Sequence, residues 1–240
     1  MVDYNIVLMS GRGQRFKDKG YSIPKPFIPI NNKTLIENVI ESFPSCEKWI
    51  FTINKEINDS LIFQEFYKDF SRPKEVFVLE DITNGQATSC LETLDLVEND
   101  KKFFVGSCDA IFENKLNFQN EENFDGQIVT SPPTELQKQS SADYGWVVGN
   151  SNIVKVTCKE PIVEFQEAYV ITGSFYFKSK EIYKELYEEM LRKNLYVNDE
   201  LYIDTIFQLM HSSGYKTSNY PINTLVVGTP EEYEIYIDKK

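Results

Sequence analysis

The chain has 240 residues, of which 41% are hydrophobic and 26% charged, and it carries a formal net charge of −12. That balance belongs to a soluble globular chain and excludes long disorder. The acidity argues against a nucleic-acid surface, which needs clustered Lys and Arg to release counterions. No apolar run approaches the roughly 20 residues of a membrane span and no signal-peptide pattern opens the chain, so the expected setting is cytoplasmic, with no membrane partner. Cys46, Cys90, Cys108 and Cys158 stand singly and His211 is the one histidine, a pattern that supports neither a zinc site nor a disulfide framework.

Residues 4–9 form a short apolar run that stops at Gly11, as a buried parallel strand feeding a loop would. Residues 34–43 carry an amphipathic stripe at 35, 36, 39, 40 and 43 and predict a helix. A strand over 48–53, a helix over 59–70 and a strand over 75–79 complete a βαβαβ alternation. A helix over 85–97 and a central strand over 102–109, ending in Asp109, follow. Ligands in open α/β sheets collect at the carboxyl ends of strands, so Gly11, Gly85 and Asp109 are expected to line one crevice. Beyond it, strand-like stretches at 127–131, 145–148, 153–156 and 173–177 predict an antiparallel or mixed extension of the sheet. Helices over 180–193 and 198–213 and a last strand over 224–227 close the chain.

The loop after the first strand holds Gly11 and Gly13, which let backbone N–H groups approach a phosphate. Spacing alone leaves an ordinary tight turn equally open. Arg15 and Lys25 change that balance, because a guanidinium fork and a flexible ammonium on one loop suit a triphosphate. Arg12, Lys17 and Lys19 add to a local basic cluster in an otherwise acidic chain. His211 reads as a surface or helix-end residue. Trp146 leaves packing and an acceptor pocket equally open.

The run Met9-Ser10-Gly11-Arg12-Gly13-Gln14-Arg15-Phe16, followed by Pro24-Lys25-Pro26 and Asn32-Lys33-Thr34-Leu35-Ile36, resembles the signature of the sugar-phosphate nucleotidyltransferases. Gly85-Gln86-Ala87, Asp109, Lys159, Thr172-Gly173 and Gly228-Thr229-Pro230-Glu231 continue the likeness in family order. The resemblance implies a Rossmann-like three-layer α/β sandwich with a mainly parallel mixed sheet, the nucleotide-diphospho-sugar transferase fold. It implies one domain over 1–240, with a nucleotide-binding half over 1–110 and an acceptor-binding half over 111–240. The compact form lacks a C-terminal β-helix, and a homodimer is left open.

By the same resemblance, Met9, Ser10, Gly11, Arg12, Gly13, Gln14, Gly85, Gln86 and Ala87 would hold the nucleotide, with Arg15 and Lys25 catalytic. Asp109 would hold Mg²⁺, and Tyr144, Lys159, Thr172, Gly173, Asn198 and Glu200 would face the acceptor. The implied reaction joins a nucleoside triphosphate to a phosphorylated small molecule, a sugar 1-phosphate for surface polysaccharide, with loss of pyrophosphate. A CTP-dependent enzyme for a non-sugar phosphate such as phosphocholine is the alternative; a non-catalytic nucleotide-sensing domain is the reading from another class.

Two departures stand out. Val226 occupies the position where many members carry a second metal aspartate, and Asp199, at the expected start of the 198–213 helix, is the candidate replacement. Met9-Ser10 and Gln14 are bulkier than the usual residues, so no base preference is carried over.

Overall fold

The computed structural model describes residues 1–118, 123–149, 153 and 155–238. The chain opens with β1 (Val2–Leu8), then α1 (Gln14–Asp18), a 3-10 turn at Lys25–Phe27, and a two-residue hairpin of β2 (Pro29–Ile30) and β3 (Lys33–Thr34). α2 (Leu35–Ser42) starts at Thr34 with a capping box closed by Glu37, and buries Leu35, Ile36, Val39 and Ile40. β4 (Cys46–Asn54) leads into α3 (Lys55–Asn58) and α4 (Leu61–Asp69). The helix expected over 59–70 therefore begins at Ser60, whose side chain accepts a hydrogen bond from the Phe63 amide. β5 (Lys74–Leu79), α5 (Gln86–Thr93) and β6 (Phe103–Ser107) complete the parallel half.

The second half contains β7 (Ala110–Phe112), β8 (Gly126–Ser131), α6 (Glu135–Gln139), β9 (Trp146–Val148), β10 (Lys155–Thr157) and β11 (Ala168–Phe177). After these come α7 (Lys180–Arg192), α8 (Ile203–Ser212), β12 (Thr217–Pro221), β13 (Thr224–Val226) and α9 (Pro230–Asp238). The strand read over 153–156 is displaced to β10, and Val154 lies outside the described residues. The helix read over 198–213 starts five residues late, because Asn198 and Asp199 both take left-handed backbone, φ 51° and 62°, in a turn closed by pairing of Val197 with Glu200.

The main sheet runs β10-β9-β11-β6-β1-β4-β5, with β8 pairing β11 and β12. β1 is parallel to β4 and β6, and β4 to β5; β11 joins β6 antiparallel and thereby carries the sheet from the first half into the second. This is the α/β mixed sheet that the alternation predicts. Two apolar layers cover it. On one face Val7, Phe51 and Phe104 pack with Leu35, Val39 and Phe63; on the other Ile6, Val105 and Phe175 pack with Cys90, Tyr183 and Phe207. The register of β11 shifts between Ile171 and Ser174, where Gly173 has φ +71° and faces Ser107 at the end of β6. Such a bulge turns the strand toward the cleft described next. Among the described residues no helix is long and apolar enough to cross a membrane.

Candidate active site

The carboxyl ends of β1, β4, β5 and β6 supply Leu8, Asn54, Leu79 and Ser107 to a cleft of about 670 Å³. That places it where open α/β sheets bind ligands, and its volume suits a nucleotide with part of a second substrate. Met9, Ser10, Gly11, Arg12, Gly13, Gln14 and Arg15 line it, together with Lys25, Gly85, Gln86, Asp109 and Glu200. The loop is tied down from below: Met9 N donates to Thr52 O at 2.8 Å, and Asn54 Nδ2 donates to Ser10 O at 3.0 Å.

Lys25 and Asp109 meet on the cleft floor, with Nζ and Oδ2 2.5 Å apart and side chains 15% and 23% exposed. Burial opposes ionisation of both groups. The attraction between them wins: it holds the Asp109 carboxyl below the usual carboxylate range and the Lys25 ammonium above the usual lysine range. Burial pushes the neighbouring Cys108 thiol up to about 12, so it stays protonated and inert. The wider basic cluster divides. Lys17 pairs with Glu56 at 2.7 Å and Lys19 with Glu231 at 3.3 Å, leaving Arg12, Arg15 and Lys25 as the basic residues of that cluster that line the main cleft.

Gly85 opens α5 with φ +115°, and a Cβ there would lie 2.6 Å from Leu201 O. Only glycine fits, and the close approach brings the Glu200-Leu201 segment against the nucleotide side. Ala87 does not reach the cleft. The second residue of α5, it is fully buried, and its backbone N donates to Leu201 O at 2.9 Å.

Of the acceptor-side residues, Thr172 is buried, its hydroxyl donating to Val129 O at 2.9 Å, and Gly173 presents the bulge. Lys159 Nζ donates to Asp143 O at 3.0 Å and stands 5.2 Å from the centre of the Tyr202 ring. Tyr144 is half-buried and does not line the cleft; burial raises its phenol, with Glu232 and Asp143 adding to the rise and Arg15 opposing it. Asn198 and Asp199 are exposed in their turn and do not line the cleft, which leaves Asp199 a poor substitute for the missing aspartate. Trp146 is core, its Nε1 donating to Ser141 O at 2.8 Å, and His211 ties α8 to Thr217 on β12.

Glu232 is the residue that sequence reasoning missed. The point where a side chain on Gly228 would begin is 3.2 Å from Glu232 Oε2 and 3.8 Å from both Asp109 Oδ2 and Val226 Cγ1. Glu232 therefore brings a second carboxylate to the place that Val226 leaves apolar. The signal was present as Thr229-Pro230-Glu231-Glu232, a capping box that turns the glutamate back on the Gly228 and Thr229 amides, which donate to it at 2.8 and 3.0 Å. A cleft-facing aspartate with a second carboxylate nearby and cations around it fits a hard divalent ion that draws most of its remaining ligands from phosphate and water. Among the described residues no cluster of three metal-binding side chains occurs.

The profile of the nucleotidyl transferase family matches residues 4–233. The chain belongs to that family. The bifunctional protein GlmU of Methanococcus maripaludis is 31% identical over 119 residues, which are 48% of this chain and 28% of that protein, so the chain spans little more than a quarter of that relative. The D-glycero-alpha-D-manno-heptose 1-phosphate guanylyltransferase of Campylobacter jejuni is 24% identical over 200 residues, covering 79% of this chain and 85% of the relative. Among solved structures, a nucleoside-diphosphate-sugar pyrophosphorylase from Vibrio cholerae RC9 superposes with a TM-score of 0.80 at 21% identity, covering 97% of this chain and 99% of that one. The inositol-1-phosphate CTP transferase of T. maritima gives 0.75 at 20% identity, over 98% and 94%. These likenesses establish the shared fold.

Proposed function

We propose that this nucleotidyl transferase joins a nucleoside triphosphate to the phosphate of a small acceptor, a sugar 1-phosphate for surface polysaccharide, in the cytoplasm. The observation that carries the reading is the Lys25–Asp109 pair beneath a glycine loop that bears Arg15, at the carboxyl ends of the parallel strands. An oxygen of the acceptor phosphate attacks the α-phosphorus; the bond from that phosphorus to the bridging oxygen breaks, and pyrophosphate leaves with the electron pair. No side-chain nucleophile is needed, so catalysis rests on position and charge. Arg15 and Arg12 neutralise the outer phosphates, Lys25 the α-phosphate, and Lys159 orients the attacking phosphate. Mg²⁺, held by Asp109 with Glu232 nearby, supplies charge neutralisation on the phosphate oxygens when bound.

Incubation with each nucleoside triphosphate, Mg²⁺ and a panel of sugar 1-phosphates and other phosphorylated acceptors tests the reading by pyrophosphate release. Turnover is expected with at least one pair. Nucleotide binding without turnover on any acceptor would favour the sensing domain instead. The CTP-dependent reading with a non-sugar acceptor draws support from the tyrosines at the acceptor end, Tyr144 and Tyr202, since aromatic faces hold amines.

A further inference from the structure

The glycine loop and α9 come from opposite ends of the chain and meet in an aromatic triangle. The Phe16 ring, in α1, is centred 5.4 Å from that of Tyr21 and 6.4 Å from that of Tyr233, and the two tyrosine rings are 5.9 Å apart. Phe16 and Tyr233 are buried, and both contacts of Tyr21 are edge-on, the arrangement that aromatic quadrupoles favour. The Tyr233 hydroxyl donates to Pro29 O at 2.8 Å, which ties the same ring to the segment just after Lys25. At the surface, Lys19 pairs with Glu231 at 3.3 Å and Asn31 Nδ2 donates to Tyr236 OH at 2.7 Å, so α9 is held to this end of the molecule on both sides of Tyr233.

Lys25 rests on that triangle. Its ammonium lies 5.8 Å from the centre of the Phe16 ring, within reach of a cation–π attraction, and donates to Gly228 O at 3.3 Å. Gly228 is itself fixed by Glu232, the neighbour of Tyr233, which accepts its amide at 2.8 Å. A lysine is a point charge on a flexible stem. Asp109 gives it a partner, while the Phe16 ring and the Gly228 carbonyl fix the direction from which it approaches, and α9 sets both. No residue of α9 lines the cleft.

We propose that Tyr233 is a positioning residue: through Phe16 it holds the Lys25 ammonium in the place where the phosphates of the nucleotide meet it. The inference rests on the transferase reading above for what Lys25 does, and on the packing for how Lys25 is held. Loss of the Tyr233 ring leaves a space beneath Phe16 into which the surroundings relax. A displacement of about 1 Å at a reacting group can cost about 10²-fold in rate, so a partial relaxation is enough to be seen.

The test is a double-mutant cycle of Tyr233→Leu with Lys25→Ala. It is read by calorimetric titration with the tightest-binding of the common nucleoside triphosphates and Mg²⁺, and by kcat and KM on a working acceptor. Tyr233→Leu alone is expected to weaken nucleotide binding and to lower kcat by about tenfold each, within the coupling range of residues in contact, with acceptor KM unmoved. In the Lys25→Ala background the same substitution should change either by no more than about twofold, because the group that it positions is gone. Tyr233→Phe, which keeps the ring, should stay within about threefold of wild type. Equal effects in the two backgrounds make Tyr233 a packing residue and overturn the inference, as does a loss confined to the melting temperature. If Tyr233→Leu does not fold, Tyr21→Leu, at the partly buried corner of the triangle, takes its place in the cycle with the same two expectations. Silence on every acceptor sinks the transferase reading and leaves the titration to decide this inference; a wild type that binds no nucleotide overturns both.

Discussion

The two sides of the cleft are built from opposite chemistry. The nucleotide side rests on parallel strands and presents Arg12, Arg15 and Lys25 with a tied-down loop. The opposite side rests on the antiparallel strands β9 and β11 and on α8; Glu200 lines the cleft there, while Asp204 is buried behind it and Lys159 stands over the Tyr202 ring. In the reaction proposed above, the first side would meet the polyphosphate common to every nucleoside triphosphate and the second the acceptor that distinguishes one enzyme of this kind from another.

Removing Lys25 should break the basic side most severely. Lys25→Ala is expected to lower kcat by about 10²–10³-fold, the scale of one preorganised charge-stabilising donor, and single-turnover kinetics with a working acceptor would measure it. A variant within about threefold of wild type would remove Lys25 from the chemistry.

The acceptor side is sharpened by pH. Burial raises the Asp204 carboxyl from an unfolded value near 3.8 to about 6 in the folded chain, so ionising it opposes folding. The penalty is absent below about pH 4, grows as the pH rises, and is complete above pH 6, where about two pH units correspond to about 3 kcal/mol. Urea unfolding of Asp204→Asn should therefore show extra stability at pH 8 that vanishes near pH 4. A stability difference independent of pH would remove the buried charge from the account.

A smaller effect is expected at Glu232. Loss of its carboxylate from the Gly228 and Thr229 amides in Glu232→Ala should cost about 1 kcal/mol, seen as a melting temperature lower by a few degrees. The smallest belongs to the Lys17–Glu56 pair, 39% and 60% exposed. Lys17→Ala should change stability by no more than about 0.5 kcal/mol and leave kcat alone, which would confirm that this lysine has left the phosphate-binding set.

The parallel half was legible because its strands are continuous apolar runs and its helices carry clean caps, as at Thr34 and Ser60. The antiparallel half was harder to read. β12 contains Asn219 and ends on Pro221, and β7 is three residues long, so neither shows a strand period. Asn198-Asp199 looks like a helix cap in sequence but takes two left-handed residues in a turn. On the site, spacing alone left the glycine loop open to an ordinary turn, and it was the strand ends and the family resemblance that grouped it with Lys25 and Asp109, which the fold brings into one cleft. Ala87, read with Gly85 and Gln86 as one motif, is buried away from the cleft lining, because a motif does not say which side of a helix turn faces the core. Asp204 gives no signal within its own helix; its burial depends on Gly145, 59 positions earlier, where any side chain would collide with the carboxylate.

The sheet's passage through β11 also governs how the chain is made. β6, Phe103–Ser107, is buried along its whole length, and one of its edges is closed by residues 174–177. Roughly 65 residues separate the two, so at about 5–20 residues per second a ribosome leaves that apolar edge without its antiparallel neighbour for about 3–13 seconds. In that interval the nascent chain offers a template for pairing with other chains, and the acidic residues that dominate its charge supply the repulsion that keeps copies apart.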